Sequence, residues 1–228
     1  MPGFKEIGLA GLGIAVTGGV VYAVWNYWSS LQRESPQRDE DRTKPDERPR
    51  VASEVKSPKK HVLVLGLDGA GKTSLLHCLA TGTLRRSILP TEGFNAVCLN
   101  TDKEQMEFLE IGGKESLRPY WHKYLSNAHV LVYVVDSADS ARFPEAKKHL
   151  HQLISKDCHL PLVVLVNKQD LPGACGIAEL HGALSLSETG DERKLFIIGT
   201  RISSSDSEVP SSVRDARELI TQLVAESR

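Results

Sequence analysis

Little in this 228-residue chain is arranged for disulfide or metal chemistry, and no stretch is strongly basic. The four cysteines, Cys78, Cys98, Cys158 and Cys175, stand apart, without a C-x-x-C or any spacing typical of zinc ligands. Such scatter argues against a disulfide framework or a zinc site, favours a reducing compartment, and leaves the thiols as small buried apolar groups. The eight histidines form no spaced ligand set either. A formal net charge of −1, with no long run of Lys and Arg, excludes the electrostatic footprint of a nucleic-acid-binding protein.

A different absence marks the N-terminus. Residues 7–28, IGLAGLGIAVTGGVVYAVWNYW, contain no charged side chain. At about 1.5 Å per residue, a helix of that length spans a hydrocarbon core of about 30 Å. Trp25, Tyr27 and Trp28 gather at its end, where aromatic rings favour the headgroup level. The sequence therefore predicts a transmembrane signal-anchor helix over 7–28. A cleaved signal peptide fits less well, because Lys5 is balanced by Glu6 and bulky aromatics stand where small residues should precede cleavage. Lys5 on one side, against Arg33, Arg38, Arg42 and Lys44 on the other, places the remainder of the chain in the cytosol. Residues 29–58 mix charges with prolines and have almost no large apolar residue, the composition of a disordered linker.

From residue 59 to 228 apolar strand patterns alternate with helical ones. HVLVLGL, HVLVYVVD and PLVVLVN are continuous apolar runs of the kind that form central strands covered on both faces. NAVCLN and QMEFLEI flank Thr101-Asp102-Lys103-Glu104, which predicts a hairpin. Helices are predicted at about 142–156, 176–185 and 212–226, with the strand KLFIIGT before the last. This order gives an α/β fold, a mostly parallel doubly wound sheet with one antiparallel strand.

Two motifs carry chemistry. Gly66-Leu67-Asp68-Gly69-Ala70-Gly71-Lys72-Thr73 fits G-x-x-x-x-G-K-[ST] between a strand and a helix. Its glycines let backbone N–H groups curl around phosphate oxygens, the helix N-terminus adds positive potential, Lys72 reaches the β and γ phosphates, and the Thr73 hydroxyl ligates Mg²⁺. Asn167-Lys168-Gln169-Asp170 ends the run PLVVLVN, at the strand edge where open α/β sheets bind ligands. A carboxylate there accepts the N1–H and 2-amino protons of guanine, which adenine does not offer, so Asp170 reads the base.

With GLDGAGKT, PTEGFN, the Gly112-Gly113 pair, ESLRPYWHKYL, VVDSAD and NKQDL, the chain resembles the ADP-ribosylation factor-like small GTPases over residues 59–228, nearest the branch holding ADP-ribosylation factor-like proteins 9 and 10. The resemblance implies the P-loop small GTPase fold with six strands, and a GDP/GTP switch. Thr91 would complete the Mg²⁺ shell, Gly113 would donate its N–H to the γ phosphate, Arg118 to Tyr124 would form a second switch helix, and the hairpin would shift register between nucleotide states. Phe94, Leu109 and Tyr124 would meet effector, exchange or activating proteins. Trp121 and Tyr124, at i and i+3, fit that surface and a core stripe equally. Lys114 stands where the family motif Asp-x-Gly-Gly-Gln has its water-orienting glutamine, and Glu110 replaces the aspartate that holds the metal through a water. An ammonium has donors only, so it accepts nothing from an attacking water. Very slow intrinsic hydrolysis follows, with no catalytic residue assigned. In the base pocket Ile202 occupies the place of a small residue, where only its backbone N–H is needed. Pro2 removes the myristoylation signal usual in relatives. Two readings result: a membrane-anchored switch whose hydrolysis depends on a partner, or a GTP-bound docking scaffold with no significant GTPase activity. A P-loop kinase is disfavoured, since NKQD reads guanine and no lid for an acceptor substrate is apparent.

Overall fold

The continuous apolar runs become the middle of a sheet. The computed structural model describes residues 59–84, 91–101, 105–190, 192–203 and 207–227. Six strands, β1 (Lys60–Leu65), β2 (Phe94–Asn100), β3 (Gln105–Ile111), β4 (Val130–Asp136), β5 (Leu162–Asn167) and β6 (Leu195–Gly199), lie in the order β2-β3-β1-β4-β5-β6. Only β2 and β3 are antiparallel, paired from Phe94 with Ile111 to Asn100 with Gln105. The other neighbours are parallel. Val62, Val64, Phe108, Val132, Val134 and Leu165 fill one face, covered by α1 (Lys72–Thr81) and α4 (Ser211–Glu226). The alternate residues Leu63, Leu65, Leu109, Leu131 and Tyr133 are equally buried. Their side of the sheet meets α2 (Phe143–Ile154) and the 3₁₀ helix Arg118–Asn127, where Tyr133 donates its hydroxyl to Ala146 O at 3.0 Å. A short α3 (Ile177–Ala183) follows β5.

The helix ends follow local chemistry. Gly71 has φ 89°, a left-handed conformation that frees the chain to start α1 at Lys72, and its missing Cβ makes room for the Asn167 amide. Pro144 in the first turn of α2 costs no hydrogen bond there, and Glu145 complements the helix dipole. The segment expected as a switch helix over 118–124 lies within a ten-residue 3₁₀ helix, Arg118–Asn127.

The spanning helix expected over 7–28 and the linker expected over 29–58 fall outside the described residues. Among the described residues no helix is long and apolar enough to cross a membrane; the transmembrane signal-anchor reading has no helix of the structure to support it and is not carried further.

Asn167, at the end of β5, ties four strand ends together. Its Nδ2 donates to Ala70 O at 2.8 Å in the loop after β1, and its Oδ1 accepts from Thr200 Oγ1 at 3.1 Å after β6. Its backbone carbonyl accepts from both Ser137 N and Ser137 Oγ, at 2.9 and 2.7 Å, after β4. Asn167, Ser137 and Thr200 are all buried, so each bond is made away from competing water. Asn167→Ala would leave the Ala70 carbonyl and the Thr200 hydroxyl without these partners, an expected loss of about 1–3 kcal/mol. Urea unfolding of the full chain measures it; an unchanged midpoint would count against the tie.

Candidate functional site

A cavity of about 350 Å³ opens at the edge where β1, β3, β5 and β6 end. Of the residues read from sequence, Asp68, Gly69, Gly71, Lys72, Thr73, Thr91, Glu110, Gly113, Asn167, Lys168, Asp170 and Ile202 line it, joined by Ser74 and Leu171. Gly66, Leu67, Ala70 and Gly112 do not; Leu67 and Ala70 are buried beneath the loop. Ser74 and Leu171 were legible only as neighbours of Thr73 and Asp170.

Lys72 is buried and donates to Leu67 O at 2.9 Å. Burial pushes its ammonium down to about 8, against the opposing pull of the Glu110 and Asp68 carboxylates. Thr73 Oγ1 lies 2.8 Å from Thr91 Oγ1 and donates to Glu110 Oε1 at 2.8 Å; Thr91 Oγ1 donates to the same oxygen at 3.1 Å. Glu110 is buried, and its Oε2 has no hydrogen-bond partner among the described residues. Two hydroxyls and a carboxylate with an unsatisfied buried oxygen form a hard, all-oxygen donor set, which suits Mg²⁺. The residues fit that ion. The extra methylene of Glu110 does not keep its carboxylate from either threonine.

Gly113 sits directly on the phosphate loop: a Cβ there would overlap backbone atoms of Gly66, Leu67 and Asp68. The contact is held by Arg118, whose Nε donates to Gly113 O at 2.7 Å and whose Nη2 pairs with Asp68 Oδ1 at 3.0 Å. Arg142 reaches the same carboxylate oxygen at 2.7 Å, and Glu145 pairs with both arginines. Burial alone would raise the Asp68 carboxyl; the hydrogen bond and charge of Arg142, then Arg118, overcome it and hold the group below its ordinary range. This four-residue network joins the phosphate loop, the 3₁₀ helix and α2, and no sequence motif announced it.

At the far end, Asp170 and Ile202 face the cavity, while Lys168, with φ 66°, pairs through Nζ with Asp136 Oδ2 at 2.6 Å. The side chain of Asn167, read from sequence as a nucleotide contact, is engaged by Ala70 and Thr200. Lys114 is not among the lining residues. Its Nζ donates to Glu92 Oε1 at 2.9 Å, an exposed ion pair that holds the Glu92 carboxyl below its ordinary range.

The partner surface expected from Phe94, Leu109, Trp121 and Tyr124 is not presented as such. Leu109, Trp121 and Tyr124 are buried, and Phe94 alone is exposed. Trp121 donates to Gly112 O at 3.2 Å and packs edge-on to Tyr133 at 6.4 Å, so the core-stripe alternative describes it here.

Lys72 yields a signed pH prediction. With its group held at about 8, below the 10.5 of an ordinary lysine, a polyanionic ligand that restores the charge takes up a proton as it binds. Nucleotide affinity should therefore be flat below pH 8 and fall as pH rises above it. Calorimetry above pH 8 in buffers of different ionisation enthalpy should show proton uptake; none would mean that Lys72 keeps its charge in the free protein.

Comparison with known proteins agrees with this geometry. A family model described as the ADP-ribosylation factor family matches residues 50–214, well over half of the chain. Human ADP-ribosylation factor-like protein 9 is 57% identical over 167 residues, 73% of this chain and 89% of that protein. Mouse ADP-ribosylation factor-like protein 10 is 35% identical over 209 residues, 85% of each chain. Among solved structures, the Arl6 BBS3 small GTPase from Trypanosoma brucei, with the bound nucleotide analogue GppNp, superposes with a TM-score of 0.65 at 21% identity, covering 75% of this chain and 99% of that one, a likeness of fold. By the family model and these two relatives, and in keeping with the sheet order and the cavity, the chain belongs to the ADP-ribosylation factor family of small GTPases.

Proposed function

We propose that this chain is a guanine-nucleotide switch that binds GTP and GDP with Mg²⁺ and by itself hydrolyses GTP very slowly. The phosphate-loop amides and Lys72 would take the phosphates, Asp170 would accept from N1 and the 2-amino group of guanine, and the Ile202 backbone would meet the guanine carbonyl. The Thr73 and Thr91 hydroxyls and the Glu110 carboxylate, the last through a water, would hold the ion. Bound there, Mg²⁺ would neutralise charge on the β and γ phosphates. Gly113 would offer its backbone N–H to the γ phosphate, from a position fixed by Arg118.

The observation that carries the slow-hydrolysis reading is the direction of Lys114. Its ammonium turns to Glu92, outside the cavity lining. It has three donors and no acceptor, so it cannot hold the attacking water and take its hydrogen bond, as a glutamine does. The cavity otherwise has the groups for binding, and binding does not need that acceptor. Faster turnover would require a partner that supplies one. Family membership supports action with protein partners at a membrane surface.

Single-turnover cleavage of GTP by the full chain, wild type beside Lys114→Gln, tests the reading. The substitution should raise the rate by about a hundredfold or more, the lower end of the range for one positioned acid–base group. Equal rates would show that Lys114 is not the limit. No cleavage by either protein would favour the alternative, a GTP-bound docking scaffold.

A further inference from the structure

The opposite end of the sheet carries a second group of chemically capable side chains. The connection from α2 to β5 presents Cys158 and His159, and the lead-in to β6 presents Glu192. One ligand atom from each lies within 4.8 Å of the others, with His159 Nδ1 4.0 Å from Glu192 Oε2. The nucleotide cavity lies past the C-terminal ends of β5 and β6, whereas these residues precede both strands. We propose that Cys158, His159 and Glu192 form a zinc site.

The donor set selects the ion. A thiolate, an imidazole and a carboxylate are the three zinc ligand types, and the soft sulfur disfavours Mg²⁺ and Ca²⁺. Zinc–ligand bonds of about 2.0–2.3 Å imply ligand separations of roughly 3.3–3.7 Å in a tetrahedron. All three side chains are exposed, so small rotamer changes close the remaining gap. Thiolate and carboxylate together balance the two charges of the ion. The fourth position stays open to water.

The backbone beneath is already fixed. Arg193, beside Glu192, is buried and donates to the carbonyls of Ile154, Asp157 and Leu160, so the ligand-bearing segments are bound to each other. Asp157 Oδ1 accepts from His159 N at 2.8 Å and Leu160 N at 3.0 Å, shaping the turn that carries Cys158 and His159. A bound ion would clip the connection after α2 to the lead-in to β6. Spacing rules miss this arrangement, because they look for ligands clustered along the chain, and here the fold supplies the third.

The test is titration of the full chain with Zn²⁺, in excess Mg²⁺, against a chromophoric chelator. One site per chain is expected, weakened at least about tenfold by Cys158→Ser, His159→Gln and Glu192→Gln singly, and unchanged by Cys98→Ser, which removes the other exposed thiol. Co²⁺ should give a thiolate charge-transfer band that Cys158→Ser abolishes. Absence of Zn²⁺ binding by the wild type, or binding that survives both Cys158→Ser and Glu192→Gln, would overturn the proposal. Thermal unfolding of the zinc-free variants should match the wild type, so that lost binding reports the ligands and not the fold.

Discussion

The site depends on one buried amide. Asn167 satisfies the carbonyl of Ala70, accepts the hydroxyl of Thr200 and, through its own carbonyl, accepts twice from Ser137. Parallel strands leave their loops side by side at one edge, but nothing in sheet pairing fixes those loops relative to each other. The side chain of Asn167 does so, and Gly71 leaves the space it occupies. The phosphate loop, the segment after β5 and the segment after β6 therefore form one cavity.

A second constraint acts on the other wall. Gly113 can lie against the phosphate loop only because it lacks a Cβ, and Arg118 draws it there while also holding Asp68 and Glu145. Arg118 is buried and bonded to two carboxylates and a carbonyl, so its charge is compensated where an unpaired one would be strongly destabilising. Lys114, one residue after Gly113, faces outward to Glu92, one residue after Thr91. The two residues that would touch the end of the phosphate chain thus adjoin residues that pair with each other at the surface. Such an exposed pair contributes little to stability and leaves the geometry of the cavity to the buried network.

Much of the fold was legible because it rests on local signals. Uninterrupted apolar runs mark β1, β4 and β5, the hairpin shows as two short apolar segments around a polar turn, and G-x-x-x-x-G-K-T requires a strand before it and a helix after it. Part of the cavity lining was legible for the same reason, since Asp68, Gly69, Gly71, Lys72, Thr73, Asn167, Lys168 and Asp170 lie at or just past strand ends that the two motifs mark; Thr91, Glu110, Gly113 and Ile202 were placed there by the family resemblance. What stayed hidden depends on distance in sequence or on burial. The partners of Asp68 are 50 and 74 residues away. Glu92 and Lys114 are separated by 22. Trp121 and Tyr124 have a spacing that suits both a surface and a core, and only their burial, with the edge-on contact of Trp121 on Tyr133, decides between the two. The segment 118–127, RPYWHKYLSN, is poor in strong helix formers, and takes the tighter 3₁₀ form.

On the proposed reading, binding and cleavage of nucleotide are separate properties of this molecule, one carried by the cavity and the other wanting an acceptor beside it. The most direct measurement is the nucleotide left on the purified full chain after it is loaded with GTP and Mg²⁺ and held without any other protein. The account predicts that guanine nucleotide is bound and stays mostly GTP over the time in which a glutamine-containing relative converts it. Rapid conversion to GDP by the chain alone, or a preference for adenine nucleotide, would contradict it.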